Sequence, residues 1–250
     1  MRHPQELSVA QITAVLAQAY DVHAEQVVQR PAGADAGATV YQIVAEDGAR
    51  WWLKCRRYAV GDAVWNVLQY LRAELQLTEV AAPHITRNGA PAVLADGLQW
   101  TLFPYIEGQS GFEAALSREQ WHRLGQVLRS VHEARVPAAL LAPLAQPQLE
   151  DEPAVERVGA WLQGGDAQWQ MSDELAERYR QTWRLYRPLI ADVWQRCVQL
   201  RGQLADQSAD AVLCHGDVHA GNVLLRPDGG LCLIDWDGML RAPRECDLMF

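Results

Sequence analysis

Long apolar runs are missing from this chain of 250 residues; none approaches the roughly 20 residues that a membrane span requires. The N-terminal stretch, MRHPQELSVAQ, lacks the apolar core of a secretory signal, so no leader peptide is expected. Cysteine is sparse and unpatterned: five residues, at 55, 197, 214, 232 and 246, with no CxxC pair. Such a set argues against a disulfide framework and for reduced thiols in a cytoplasmic protein. Low-complexity tracts and internal repeats are absent as well. Positive charge is in short supply, and the net charge of -9 disfavours nucleic acid as a partner while tolerating a cationic substrate. What remains is a globular composition, 49% hydrophobic and 21% charged, long enough for one large domain or two lobes around a sizeable core.

The apolar spacing organises the chain into an α+β protein. After Ser8, with Gln11 at the capping-box position, helical periodicity predicts a helix over about 8–20. A strand at Gln26–Arg30 leads through the small-residue loop Pro31–Ala38 into an alternating strand, Thr39–Val44. Asp47-Gly48 signals a hairpin, and Arg50–Arg56 is the return strand. Asp62 opens a second helix, and apolar stretches at 91–95 and 98–106 complete an antiparallel sheet. Beyond Ser117, whose partner Gln120 again completes a capping box, the chain reads as mostly helical. Residues 135–153 are expected to be irregular, with helices at 154–164 and from Asp173 to about Leu204. Pro188 is expected to kink or split the last of these at Arg187. Trp121, Trp161, Trp183 and Trp194 fall in the helical patterns, as core or groove-lining residues.

The chemistry concentrates near the C-terminal end. Cys214-His215-Gly216-Asp217-Val218-His219-Ala220-Gly221-Asn222, followed by Leu233-Ile234-Asp235-Trp236-Asp237, sets an Asp, an Asn five residues later and a second Asp eighteen residues later around one short hairpin. Phosphoryl transfer from a metal nucleotide needs that set. One carboxylate orients and deprotonates a hydroxyl, while an amide oxygen and another carboxylate hold metal ions on the phosphates. Asp217 is therefore the expected base, and Asn222 and Asp235 offer the hard oxygens that Mg²⁺ prefers. His215 and His219 read as structural. Asp237 could reach a second metal ion or cap the turn at Gly238, the second being favoured. Asp247 reads as a helix N-cap or a brace for the catalytic loop.

Lys54 stands in the strand Trp51–Cys55, where a buried Lys is costly unless paired, which favours a role on nucleotide phosphates. Its carboxylate partner should come from the following helix, where Asp62 at the start and Glu74 near the end are both candidates. Gly33 lies in the small-residue loop, which reads either as a plain hairpin turn or as a place where backbone N–H groups approach phosphates, its position relative to Lys54 raising the second reading.

With these residues in view, the chain resembles the aminoglycoside phosphotransferase and choline kinase-like family, small-molecule kinases of the protein-kinase-like fold. The likeness rests on the loop Ala32–Ala36, the strand Trp52-Leu53-Lys54, the hinge Phe103-Pro104-Tyr105-Ile106-Glu107-Gly108, the HGDVHAGN loop and the IDWD motif. Phe103–Phe112 and Ala242–Phe250 look most like the spectinomycin phosphotransferase branch. The resemblance implies a two-lobed fold, with an N-lobe of antiparallel sheet and helices over 1–104 and a mainly helical C-lobe with the catalytic hairpin over 105–250. It implies ATP under the N-lobe sheet, bound by Lys54, Gly33 and Asp62, with adenine on the hinge near Phe103, Tyr105 and Ile106. It also implies Mg²⁺ on Asn222 and Asp235 and Asp217 as base. Relatives carry Glu where this chain has Asp62, and they continue with C-terminal helices where this chain stops at Phe250.

The expected activity is ATP-dependent transfer to a hydroxyl of an aminoglycoside or aminocyclitol such as spectinomycin. Its alternatives are a metabolite kinase of the same fold, acting on choline, homoserine, a methylthio sugar or a fructosamine, and a nucleotide-binding fragment without turnover. A protein kinase is disfavoured, because only eleven residues separate Asp235 from Asp247, too few for an activation segment.

Overall fold

The computed structural model describes residues 7–30, 37–146, 153–164, 174–205 and 210–248. By contact the chain divides into two compact units, Met1–Ala145 with Ala211–Phe250, and Gln146–Asp210. The division sets residues 146–210 apart, and residue 104 lies inside the first unit.

The first unit is α+β. Helix α1 (Val9–Val15) starts at the expected capping box: the Ser8 hydroxyl accepts from the Gln11 N–H, and the Gln11 side chain accepts from the Ser8 N–H at 3.0 Å. It widens into a π-helical turn over Leu16–Tyr20 that ends at left-handed Asp21. Strands β1 (Ala24–Arg30), β2 (Ala38–Ala45), β3 (Arg50–Arg56), β4 (Val93–Ala95) and β5 (Leu98–Pro104) form an antiparallel sheet in the order β1-β2-β3-β5-β4. The β2–β3 hairpin turns at Asp47-Gly48 as expected, with Gly48 at φ 81°.

Pleating gives the sheet two different faces. Tyr41, Ile43, Leu53, Cys55, Trp100 and Leu102 point to one side and bury Ile12, Leu16 and Tyr20 of the first helix. At about 1.5–3 kcal/mol for each large side chain removed from water, these contacts anchor the helix. The Tyr20 hydroxyl adds a hydrogen bond to the Trp100 carbonyl at 2.8 Å. Register places Trp52 opposite Phe103, Lys54 opposite Thr101 and Arg56 opposite Gln99, all on the other face.

Helix α2 (Asp62–Ala73) follows β3, and the buried Gln99 amide fastens its approach by bonding both the N–H and the carbonyl of Val60 at 2.8 Å. Its buried face, Val64, Trp65, Val67, Leu68 and Leu71, joins a second core with helix α3 (Arg118–His132). Helix α3 carries the capping box expected at Ser117 and Gln120. A short helix α4 (Ala138–Leu141) interrupts the stretch expected to be irregular. Strand β7 (Val212–Cys214) pairs with β10 (Leu240–Ala242), while β8 (Val223–Leu225) lies between β6 (Gln109–Ser110) and β9 (Leu231–Leu233).

In the second unit, helices α5 (Pro153–Gly164) and α6 (Glu174–Ala205) pack together. Trp161 meets buried Trp183 edge-on at 6.4 Å, and the Trp194 indole donates to the Val155 carbonyl at 2.9 Å. Gly159 permits this approach, since a Cβ there would lie 2.8 Å from the Trp194 ring. Of the kink or split expected at Pro188, the split does not occur: α6 runs unbroken through it. The proline removes one donor, and long helical runs on both sides supply the cooperativity that outweighs that loss. Trp121, expected in a core or groove, is exposed.

Candidate active site

The catalytic-type loop is built on short-range hydrogen bonds. Strand β7 delivers His215, whose fully buried ring packs 4.4 Å from Trp236. The Asp217 N–H donates to His215 Nδ1 at 3.2 Å, so Nε2 carries the proton and donates to the Ile234 carbonyl at 2.9 Å. Burial depresses the His215 pKa, keeping the ring neutral in this role. Asn222 Nδ2 donates to the Asp217 carbonyl at 2.9 Å and to Asp217 Oδ2 at 3.2 Å. His219 Nδ1 accepts from the Gly221 N–H at 3.0 Å, and its Nε2 stands 3.7 Å from Asp217 Oδ2. Exposed Phe112 stacks on His219 at 5.4 Å.

Asp247 braces this loop. Its Oδ2 accepts from the His215 N–H at 3.0 Å and lies 2.9 Å from His132 Nε2, while Oδ1 accepts from the Gly216 N–H at 2.8 Å. Burial would raise this carboxyl's pKa, but the bonds from His132 and the two backbone N–H groups outweigh it and hold it below the usual range. Asp247 lies within a 3₁₀ turn, Arg244–Leu248, so bracing is its role here rather than capping a helix. His132, Cys214 and Asp247 also lie close enough to suggest a metal site. The Asp247 oxygens are already committed to three nitrogens, and the Cys214 thiol faces the Ala242 and Pro243 carbonyls at 3.5 and 3.6 Å. That chemistry suits a brace and not a metal centre.

Gly216 is required twice over. Its φ is +84°, and a Cβ would lie 2.3 Å from the Gly238 carbonyl oxygen. This contact seats the loop against the turn that carries Asp235. The β8–β9 hairpin fixes that turn from the other side. The Ile234 N–H donates to the Asn222 carbonyl at 3.0 Å, and the Leu233 N–H donates to the Glu79 carbonyl at 2.7 Å. Asp235 itself is left-handed at φ 62°, a conformation that Asp tolerates better than most residues.

Across from it, Lys54 Nζ lies 2.7 Å from Asp235 Oδ1 and 2.7 Å from Asp237 Oδ2. Arg56 Nη2 bonds Asp237 Oδ2 and stands 3.7 Å from Asp235 Oδ1. The carboxylates facing Lys54 thus come from the far end of the chain. The two expected candidates, Asp62 and Glu74, are exposed at opposite ends of α2. Asp237 does more than cap a turn, since it accepts from two cations.

Phe103 lies on the same face of the sheet as Lys54 and meets Trp65 edge-on at 5.9 Å. Tyr105 stacks on Trp52 at 5.6 Å, and its N–H donates to the Arg50 carbonyl at 3.0 Å. Ile106 is half-buried beside it. Gly33 lies outside the described residues. The structure therefore brings Lys54 to Asp235, and Asp217 to Asn222, and bridges the two sets through the His215 ring. Arg56 was missed; its two-residue spacing from Lys54 was the only signal available in sequence.

Residues 28–250 match the model of a family described as "Phosphotransferase enzyme family". No curated protein sequence matches the chain. Among solved structures, spectinomycin phosphotransferase APH(9)-Ia in complex with ADP and spectinomycin superposes with a TM-score of 0.86 at 24% identity, covering 98% of this chain and 74% of that one. An aminoglycoside phosphotransferase from Alicyclobacillus acidocaldarius gives 0.67 at 19% identity, over 98% and 70% of the two chains. Amicoumacin kinase hAmiN, in complex with AMP-PNP, Ca²⁺ and its Ami ligand, gives 0.61 at 17% identity, over 97% and 67%. These likenesses establish the protein-kinase-like α+β fold.

Proposed function

The chain belongs to the phosphotransferase enzyme family, and from that premise we propose that it transfers the γ-phosphoryl group of ATP to a hydroxyl of an aminoglycoside or aminocyclitol of the spectinomycin kind. The observation that carries this reading is the pairing of Lys54 with Asp235 across 181 positions of sequence, at 2.7 Å, beside the Asp217–Asn222 pair. A cation aimed at phosphates, a carboxylate for metal and a carboxylate for the acceptor are the parts that phosphoryl transfer needs.

Asp217 takes the proton of the acceptor hydroxyl as its oxygen bonds to phosphorus and the bond to ADP breaks. Asn222 Nδ2 holds Oδ2 of that carboxylate and so turns Oδ1 to the acceptor. Because its nitrogen is committed to Asp217, the Asn222 amide presents its oxygen on the other side. With the Asp235 carboxylate it makes a hard-oxygen donor set that fits Mg²⁺. Bound there, Mg²⁺ would neutralise charge developing on the phosphates. Lys54 would release Asp235 and turn to the phosphates. The loop around Gly33 and the first turn of α2 at Asp62 belong to the nucleotide site in this reading, and the segment of Phe103, Tyr105 and Ile106 is the adenine hinge.

In lobe terms, residues 1–104 hold nucleotide and 105–250 hold the catalytic and acceptor groups. The acceptor class rests on the fold neighbour that was solved with spectinomycin, and on a net charge of -9 that suits a cationic drug. The partner is a small molecule, not nucleic acid. Among the described residues no helix is long and apolar enough to cross a membrane. None of the five cysteines forms a disulfide, which supports a cytoplasmic site of action.

ADP release with Mg-ATP against spectinomycin, aminoglycosides and small metabolic alcohols tests this reading, with Asp217→Ala as control. Turnover on spectinomycin that is lost in the variant supports it. Turnover only on a metabolite replaces the acceptor, and ADP release indifferent to Asp217→Ala removes the mechanism.

A further inference from the structure

We propose that Arg56 is a positioning residue of the phosphate site, with Asp237 as its permanent counter-ion rather than a ligand of the metal ion. This rests on the kinase reading above. Lys54 and Arg56 project from the same face of β3, two residues apart, towards Asp235 and Asp237, so two cations meet two carboxylates.

Burial grades the four groups. The Arg56 side chain is 4% exposed, Lys54 16%, Asp237 18% and Asp235 39%. Arg56 with Asp237 is the inner pair, and Lys54 with Asp235 is the outer one. Removing one member of a buried ion pair leaves an uncompensated charge, whereas a half-exposed carboxylate can change partners cheaply. The outer pair is therefore the exchangeable one.

Lys54 bridges both layers, because its Nζ also lies 2.7 Å from the Asp237 oxygen that Arg56 bonds. When Lys54 turns to phosphate it can leave Asp237 only if that carboxylate keeps another cation. The guanidinium of Arg56 supplies it, being always charged and held in place by burial. Without Arg56, Asp237 would retain Lys54 and compete with the phosphates for it. Arg56 thus acts through Lys54, without touching the nucleotide.

The test uses ADP binding by calorimetry with and without Mg²⁺, on the whole chain, so no acceptor is needed. Arg56→Met should weaken ADP about tenfold or more, since one partner of a desolvated charge pair is lost. Adding Asp237→Asn to Arg56→Met should recover most of that loss, because no carboxylate then competes for Lys54. A merely structural role for Arg56 predicts the opposite, a double variant as poor as the single one or worse. Asp237→Asn alone should leave the ratio of ADP affinities with and without Mg²⁺ intact, while Asp235→Asn should collapse it.

Lys54 is the only lysine of the chain, so acylation of its ε-amine, read on the isolated peptide, reports its engagement independently of ADP. Labelling should fall in Arg56→Met and recover in the double variant. If Arg56→Met does not fold, Arg56→Gln serves in its place, with the same rescue expected. A double variant that is not rescued overturns the proposal, as does loss of the Mg²⁺ ratio in Asp237→Asn. Failure of the unmodified protein to bind ADP at all would instead remove the kinase reading, and this assignment with it.

Discussion

The loop of Asp217 and the cluster around Lys54 face the same chemistry but are held by opposite means. Neutral hydrogen bonds and one buried carboxylate fix the loop: His215 bonds Ile234, Asn222 bonds Asp217, and Asp247 gathers three N–H donors. In the Lys54 cluster two cations face two carboxylates. In the proposed mechanism the base must stay in place through every cycle, so directional bonds that no ligand can replace suit it. The proposed phosphate site must exchange its internal charges for those of a ligand, so ion pairs graded by exposure suit that task.

The sharpest way to break this contrast is to remove the buried carboxylate that braces the loop. Asp247→Ala leaves buried donors on His132, His215 and Gly216 without acceptors, and should lower unfolding free energy by about 3–5 kcal/mol. Urea denaturation checks it, and a loss under 1 kcal/mol would show that the brace carries little. Asp217→Asn should leave the urea midpoint almost unmoved but reduce kcat by roughly 10²–10⁴-fold, the usual worth of a general base. Steady-state turnover reads this, and a large stability change would mean that the residue is structural.

Gly216→Ala imposes both a disfavoured φ and a backbone clash with Gly238, so a loss of about 1–3 kcal/mol is expected, again by urea. The smallest effect is the pH response. His215 is buried neutral with a depressed pKa, so the unfolded chain binds its proton first, and stability should start to fall as pH drops below about 6.5. Asp247 has a depressed carboxyl pKa, so its contribution is fully present above about 3.9 and disappears as pH falls further. Urea midpoints across pH should show the second fall vanish in Asp247→Asn.

Legibility in the sequence follows the same contrast. The capping boxes at Ser8 and Ser117, the Asp47-Gly48 turn and the bounds of β3 were all legible, because each depends on residues within a few positions of one another. At Pro188 a local rule allowed a kink or a split, and the split does not occur in a helix of 32 residues. The partner of Lys54 was sought in the next helix, and the sheet instead carries the lysine to a hairpin 181 positions away.

The sequence by itself determined the chemistry on offer. Asp217, Asn222 and their hairpin lie within one short segment, where chain geometry alone brings the Asn222 amide to Asp217. Only the tertiary structure decided which charges oppose one another. Asp237 became the shared counter-ion of Lys54 and Arg56, because that contact exists only once β3 and the β8–β9 hairpin have been packed together. Coulomb attraction has no preferred partner along the chain, so the fold must choose one.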